Sequence, residues 1–131
     1  MIMMTDYKFI ETVKSDIDEV SDKCNEPSLY ADILNGVKNK RMFAFAGCGG
    51  FFVLMPIYFY GVPYIHVMIA CSSKGRVFTD MLGFTKDRAK DIDAKGIFFS
   101  TSNERLERAS KRFGWGYRGR RGCVTDWVIK L

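Results

Sequence analysis

Residues 64–82 read YIHVMIACSSKGRVFTDML, and the change of character inside this stretch sets the architecture. Tyr64 to Ala70 is rich in β-branched and aromatic residues and holds no Asp, Glu, Lys or Arg, the composition of a buried strand. Ser72, Ser73, Lys74, Gly75 and Arg76 then form a polar loop, after which Val77, Met81, Ala89 and Ile92 recur at helical intervals. A strand that turns through such a loop into a helix leaves unpaired backbone N–H groups at the helix N-terminus, where the dipole also favours an anion. Lys74 and Arg76 add full charges, so the unit reads as strand, phosphate-sized turn and helix.

Residues 96–115, GIFFSTSNERLERASKRFGW, hold a second unit. Gly96 to Ser100 reads as a strand, Asn103 opens a helix, Leu106, Ala109 and Phe113 share its inner face, and Gly114 is its stop. The helix from Val77 to about Ile92 crosses over between the two strands, which makes them a parallel, adjacent pair. A site is expected where those strands end and their loops open.

In order and spacing these two stretches resemble the GCN5-related N-acetyltransferase (GNAT) family. That family follows its fourth strand with the pattern Gln/Arg-x-x-Gly-x-Gly/Ala; here Lys74 takes the basic position, Val77 and Thr79 the small positions, and Leu82 the usual helix leucine. Its next helix starts with Asn and ends eleven residues later with Gly and an aromatic, as Asn103, Gly114 and Trp115 do. The resemblance implies an α/β (α+β) fold in one domain over residues 1–131: a mixed, mostly antiparallel sheet with one parallel pair, flanked by helices. Its length and degenerate loop look most like the small GNAT-like proteins encoded by bacteriophages.

The resemblance also implies chemistry. Acetyl-CoA would lie in the wedge between the strands ending at Ala70 and Ser100. Its pyrophosphate would rest on Lys74, Gly75, Arg76, Val77, Phe78 and Thr79, with Cys71 and Asn103 bordering the site and the backbone near Ile69 polarising the thioester. Val77 and Thr79 put a Cβ where glycine normally admits phosphate. Acyl transfer to an amine needs a base and an acid. The family's acid is a tyrosine at the position of Ser110, whose hydroxyl is too weak an acid to replace it. His66, the one histidine, occupies the strand position from which the family drains the amine proton, and an imidazole suits that task; packed, hydrogen-bonded histidine is the competing reading. Cys71 has no accompanying second histidine or acidic orienter and reads as structural rather than nucleophilic.

Working outward, Tyr7 to Val13 reads as a first strand, Ser15 as the cap of a helix carrying Ile17, Val20 and Cys24, and Leu29, Tyr30, Ile33, Leu34 and Val37 as the inner face of a second helix. Arg41 to Ala46 and Phe51 to Tyr60 read as strands joined by a glycine turn. Residues 51–70 carry no Asp, Glu, Lys or Arg, but Pro56, Gly61 and Pro63 interrupt them, so two buried antiparallel strands are expected rather than a membrane span. Trp115 to Arg121 and Val124 to Ile129 read as a closing hairpin.

The 131 residues, 47% hydrophobic and 27% charged, suffice for a core without disulfides or metal. Cys24, Cys48, Cys71 and Cys123 form no Cys-x-x-Cys and follow no secretory signal, so they read as reduced cytosolic thiols, and one histidine argues against zinc. The net charge of +5 falls entirely within residues 103–131. Arg112, Arg118, Arg120 and Arg121, interleaved with aromatics, suit nucleic acid or an acidic protein partner, or else only a solvated hairpin. Two functions therefore stand: an acetyl-CoA-dependent N-acetyltransferase acting on an amine acceptor (protein, peptide or small molecule), with room for a homodimer, and an inactive binding module of the same fold.

Overall fold

The computed structural model describes residues 2–47, 49–72, 77–101, 104–122 and 124–131, and gives the backbone alone for Ser72, Val77 to Thr79 and Arg105. Strand β1 (Met3–Thr5) is followed by helices α1 (Tyr7–Thr12), α2 (Lys14–Cys24) and α3 (Leu29–Lys38). Strands β2 (Phe43–Gly47), β3 (Gly50–Phe59) and β4 (Val62–Ser72) come next, then α4 (Val77–Asp91), β5 (Gly96–Thr101), α5 (Glu104–Arg112), β6 (Gly116–Arg121) and β7 (Val124–Lys130). The strands form one sheet in the order β1-β2-β3-β4-β5-β7-β6. All pairings are antiparallel except β4 with β5. This is the expected mixed sheet with a parallel pair and flanking helices, and the apolar run 51–70 forms β3 and β4. Among the described residues no helix is long and apolar enough to cross a membrane.

The expected strand at Tyr7 to Val13 is instead helix α1. Asp6 decides this locally: its carboxylate accepts from the backbone N–H groups of Lys8 and Phe9 at 3.0 and 3.3 Å, satisfying two donors of the first turn. The apolar residues also fit a helix better than a strand, because Phe9, Ile10, Val13 and Ile17 fall at helical spacing on the face that meets the core. The first strand is the preceding Met3–Thr5, paired with Ala46, Phe45 and Ala44 of β2. Its methionines are exposed at the sheet edge, so it lacks the alternation that marks a half-buried strand. Helix α2 starts at Lys14 behind Val13, with no side-chain cap, so Ser15 lies inside the helix rather than capping it.

Alternation along the strands feeds two cores. On one face Ile10, Ile17 and Ile33, each 0% exposed, pack with Ala44, Phe51, Val53 and Ile69 beneath α1, α2 and α3. Burying each isoleucine contributes roughly 1.5–3 kcal/mol before the entropy of ordering is set against it. On the other face Phe45, Phe52, Leu54, Ile65, Val67, Ile97, Phe99, Trp127 and Ile129 meet Met81 and Ala89 of α4. Phe84 anchors that helix, with its ring centroid 4.8 Å from that of Phe45 and 5.7 Å from that of Phe52.

The two sheet edges differ in kind. Strand β1 is three residues long, whereas β6 carries Arg118, Arg120 and Arg121, a register shift between Tyr117 and Gly119, and a positive φ of 144° at Gly119.

Candidate active site

The parallel ladder between β4 and β5 is short. It joins Ile65 to Ile97, His66 to Phe98 and Val67 to Phe99, while β4 runs on to Ser72 and β5 to Thr101. On the other side of β4, Leu54 faces Val67 and Val53 faces Ile69, so Met68 is an extra residue, a β-bulge. The bulge shifts the alternation by one position: Ile65 and Val67 belong to the core beneath α4, whereas Ile69 and Cys71 belong to the side of α1–α3. The extra residue at Met68 coincides with the end of the β5 ladder: among the described residues no pairing joins the two strands beyond Val67 and Phe99, and this unpaired end stands where the wedge is expected. Backbone groups of β4 beyond the bulge that face β5 take no part in that ladder. Ile69 lies in this segment, with its side chain buried and its backbone at the wedge.

Helix α4 begins directly beyond the wedge, at Val77. Lys74, Gly75, Arg76 and Asn103 lie outside the described residues, while Val77, Phe78 and Thr79 form the first turn of α4. Asp80 shares that turn; it suits the helix dipole but opposes a phosphate.

His66 sits two residues before the bulge. The ring of Phe98 on β5 meets it edge-on at 5.1 Å between centroids. Partial burial pulls its pKa below the usual 6.5; the Asp126 carboxylate opposes that shift and the Arg121 guanidinium adds to it. The imidazole is therefore neutral at neutral pH, the form that can accept a proton.

Across β5 lies a polar cluster that sequence reasoning did not single out. Ser100 Oγ donates to Asp126 Oδ1 at 2.6 Å, and Arg121 grips the same carboxylate through Nε to Oδ2 at 3.2 Å and Nη2 to Oδ1 at 3.1 Å. Arg121 Nη1 stands 3.9 Å from Glu26 Oε1, beyond the end of α2. Burial raises the Asp126 pKa, but the hydrogen bonds from Arg121 and Ser100 outweigh it and hold the carboxyl below its usual range. One signal for this residue is present in the sequence: Asp126 is the sole acidic residue after Glu107.

Ser110 is 0% exposed and donates to the Leu106 carbonyl at 2.8 Å, a bond within its own helix. Phe113, expected on the inner face of α5, lies past its end, exposed and stacked on Trp115 at 5.3 Å. The helix stops as the sequence suggests: Gly114 has φ of 72°, its N–H bonds to Lys111 O, and the Trp115 N–H reaches Ser110 O at 3.0 Å. Helix α5 is tied to the sheet by Glu107, which accepts from Thr125 Oγ1 at 3.1 Å, and Thr125 in turn accepts from Trp127 Nε1 at 2.9 Å. Burial, then Asp16 and Glu19, push the Cys71 thiol up to about 11, with Lys23 opposing, so it is no activated nucleophile.

The four arginines of the basic end do not form one stripe. Arg120 turns to the α5 side, 3.6 Å from Glu107, while Arg121 turns to the opposite face and Asp126. Arg112 stacks over Phe113 at 5.7 Å, and Arg118 is exposed at the bulge of β6.

No protein-family model and no curated protein matches the sequence. Solved structures match along nearly the whole chain. A GNAT-family acetyltransferase from Listeria monocytogenes is 12% identical with a TM-score of 0.63, covering 100% of this chain and 94% of that one. A predicted acetyltransferase from Clostridium acetobutylicum, solved with acetyl-CoA, is 12% identical with a TM-score of 0.67 (93% and 92% covered). An N-acyl amino acid synthase from uncultured soil microbes is 9% identical with a TM-score of 0.70 (99% and 90% covered). At such identities the likeness is one of fold, and with the parallel β4–β5 pair and its flanking helices this chain has the GNAT-type acyl-CoA N-acyltransferase fold.

Proposed function

We propose that the chain is an acetyl-CoA-dependent N-acetyltransferase that works as one domain and acylates an amine acceptor. The observation that carries this reading is the unpaired end at Met68, where β4 leaves the β5 ladder. A strand edge without a ladder partner can pair with the amide groups of a pantetheine arm, and the N-terminus of α4 lies where the phosphates would follow. Acetyl-CoA supplies the activated acyl group. Backbone N–H near Ile69 polarises its carbonyl; the acceptor nitrogen bonds to the acyl carbon, the C–S bond breaks, and the amine proton passes to neutral His66. Ser110 takes no part, since its proton is already given to Leu106 O; the thiolate leaves unassisted or collects a proton from water. Lys74 and Arg76 meet pyrophosphate charge. The departures at Val77, Thr79 and Ser110 are the grounds for reading it as a bacteriophage-encoded protein acting in the host cytoplasm.

The test is binding and turnover. At ~100 times its dissociation constant, acetyl-CoA should stabilise the fold by about 2.7 kcal/mol, raising the melting temperature, and thiol should be released with an amine from a panel of polyamines, amino acids and peptides. No thermal shift with millimolar acetyl-CoA would sink the proposal.

One observation favours the second reading, a binding module: the position of the family's acid holds a buried serine bonded within its own helix. On that reading Arg112 and Arg118 grip a polyanion, and binding falls steeply with salt. Cofactor binding without thiol release, together with salt-sensitive nucleic-acid binding lost in Arg112→Ala and Arg118→Ala, would favour the module.

A further inference from the structure

The polar cluster on β5, β6 and β7 shares a sheet face with His66. In the parallel ladder His66 is level with Phe98, Phe98 is level with Val128, and one alternation further along Ser100 is level with Asp126. Side chains two apart on a strand point to the same face, and adjacent strands lie about 4.8 Å apart. Asp126 therefore stands two strands away from His66 and one alternation further along, on the same sheet face with Phe98 and Ser100 between them, so it acts on the imidazole through its charge and not through contact. Its carboxylate accepts three hydrogen bonds, one from Ser100 and two from Arg121, which fix where its charge sits.

We propose that Asp126 is a positioning residue for His66: held by Ser100 and Arg121, its carboxylate stabilises the imidazolium that forms when His66 takes the acceptor's proton. This rests on the acyltransferase reading, in which His66 is the base. The proton moves from the acceptor nitrogen to the imidazole and onward to solvent, and Asp126 stays ionised throughout. Among the described residues, the charged groups acting on His66 are Asp126 from β7 and Arg121 from β6. Its β3 partner Met55 and its β5 partner Phe98 carry no charge, and from the helical layer Glu26 faces Arg121. Arg121 therefore has two opposed effects: it holds Asp126 in place and offsets part of its charge.

The chain has one histidine, so its imidazole signals in an NMR titration are unambiguous. In Asp126→Asn the His66 midpoint should fall, because the anion that favours the charged ring is gone. In Arg121→Met it should rise, because a cation is removed while Ser100 still holds the carboxylate. Opposite directions distinguish charge coupling from a salt bridge that merely braces the sheet, whose loss would disturb both variants alike. For turnover, Asp126→Asn should lower kcat about tenfold with KM for acetyl-CoA unchanged, and the acid limb of the pH–rate profile should follow the NMR midpoint. An unchanged midpoint in both folded variants, or shifts of one sign, would overturn the proposal. Because the titration needs no substrate, it can fail or succeed separately from the acyltransferase reading, which fails if wild type releases no thiol. Should Asp126→Asn not fold, Arg121→Met alone decides: no rise in the midpoint overturns the coupling.

Discussion

Val67 and Phe99 form the last rung of the parallel ladder, and the next residue of β4, Met68, has no opposite number on β3. Everything proposed for the cofactor depends on that coincidence. Ala70, two residues beyond the bulge, is exposed, so a larger side chain there meets the wedge rather than the core. Ala70→Trp should leave ligand-free stability within about 0.5 kcal/mol of wild type, as surface changes generally do, yet abolish the thermal shift produced by acetyl-CoA. A full shift in this variant would place the ligand elsewhere.

Ser110 offers a sharper test of the chemistry. Removing its hydroxyl leaves Leu106 O with its ordinary helical partner and improves helix propensity, so Ser110→Ala should change stability by less than about 1 kcal/mol and kcat by less than about twofold. Restoring a phenol is a different matter. The site is closed, and Ser110→Tyr should lose roughly 1–3 kcal/mol through overpacking. Urea denaturation and thiol-release rates read both variants; a large kcat loss in Ser110→Ala would return the hydroxyl to the mechanism.

The lowered His66 pKa carries a stability signature. Burial favours the neutral ring in the folded protein, so below about pH 6.5 the unfolded chain binds the proton more readily. Stability contributed at His66 is therefore complete above that value and declines as pH falls through the folded-state pKa. His66→Gln should remove this slope. Urea titrations at several pH values from 5.5 to 7.5 would show it, and an unchanged slope in the variant would assign the pH dependence to other groups.

Cys71 should resist alkylation. A thiol held at about 11 rather than 9.0 has on the order of 100-fold less thiolate at pH 8. Peptide mapping after timed iodoacetamide treatment should find Cys71 modified far more slowly than a model thiol. Rapid, stoichiometric labelling of Cys71 in the folded protein would contradict the burial that raises its pKa.

Legibility in the sequence followed the scale of the signal. The strand from Tyr64, the helix from Val77 and the stop at Gly114-Trp115 were readable because β-type composition, helical spacing and a glycine act over neighbouring residues. The N-terminal exchange of strand for helix was not, since Asp6 settles it with two short-range hydrogen bonds while alternation at Tyr7 to Val13 was imperfect. The bulge at Met68 leaves no compositional mark: one extra residue among Val67, Met68, Ile69 and Ala70, all apolar, changes which core each side chain serves without changing its type. Asp126 and Ser100 meet only through the pairing of β5 with β7, 26 residues apart, although a lone acid in a basic tail was there to be noticed. Ser110 was legible as a departure, but not as a buried hydroxyl already committed to its own helix.

The unequal sheet edges bear on how copies of the chain meet in concentrated solution. Strand addition needs a flat, regular row of free amides and carbonyls, and neither flank supplies one: β1 ends after three residues, and β6 has a register shift at Arg118 and carries the long side chains of Arg118, Arg120 and Arg121. Fibril-like or edge-to-edge stacking is thereby disfavoured. Contacts between copies are thereby left to side chains, and the hairpin of β3 and β4 exposes three aromatic rings, Tyr58, Phe59 and Tyr60, next to one another.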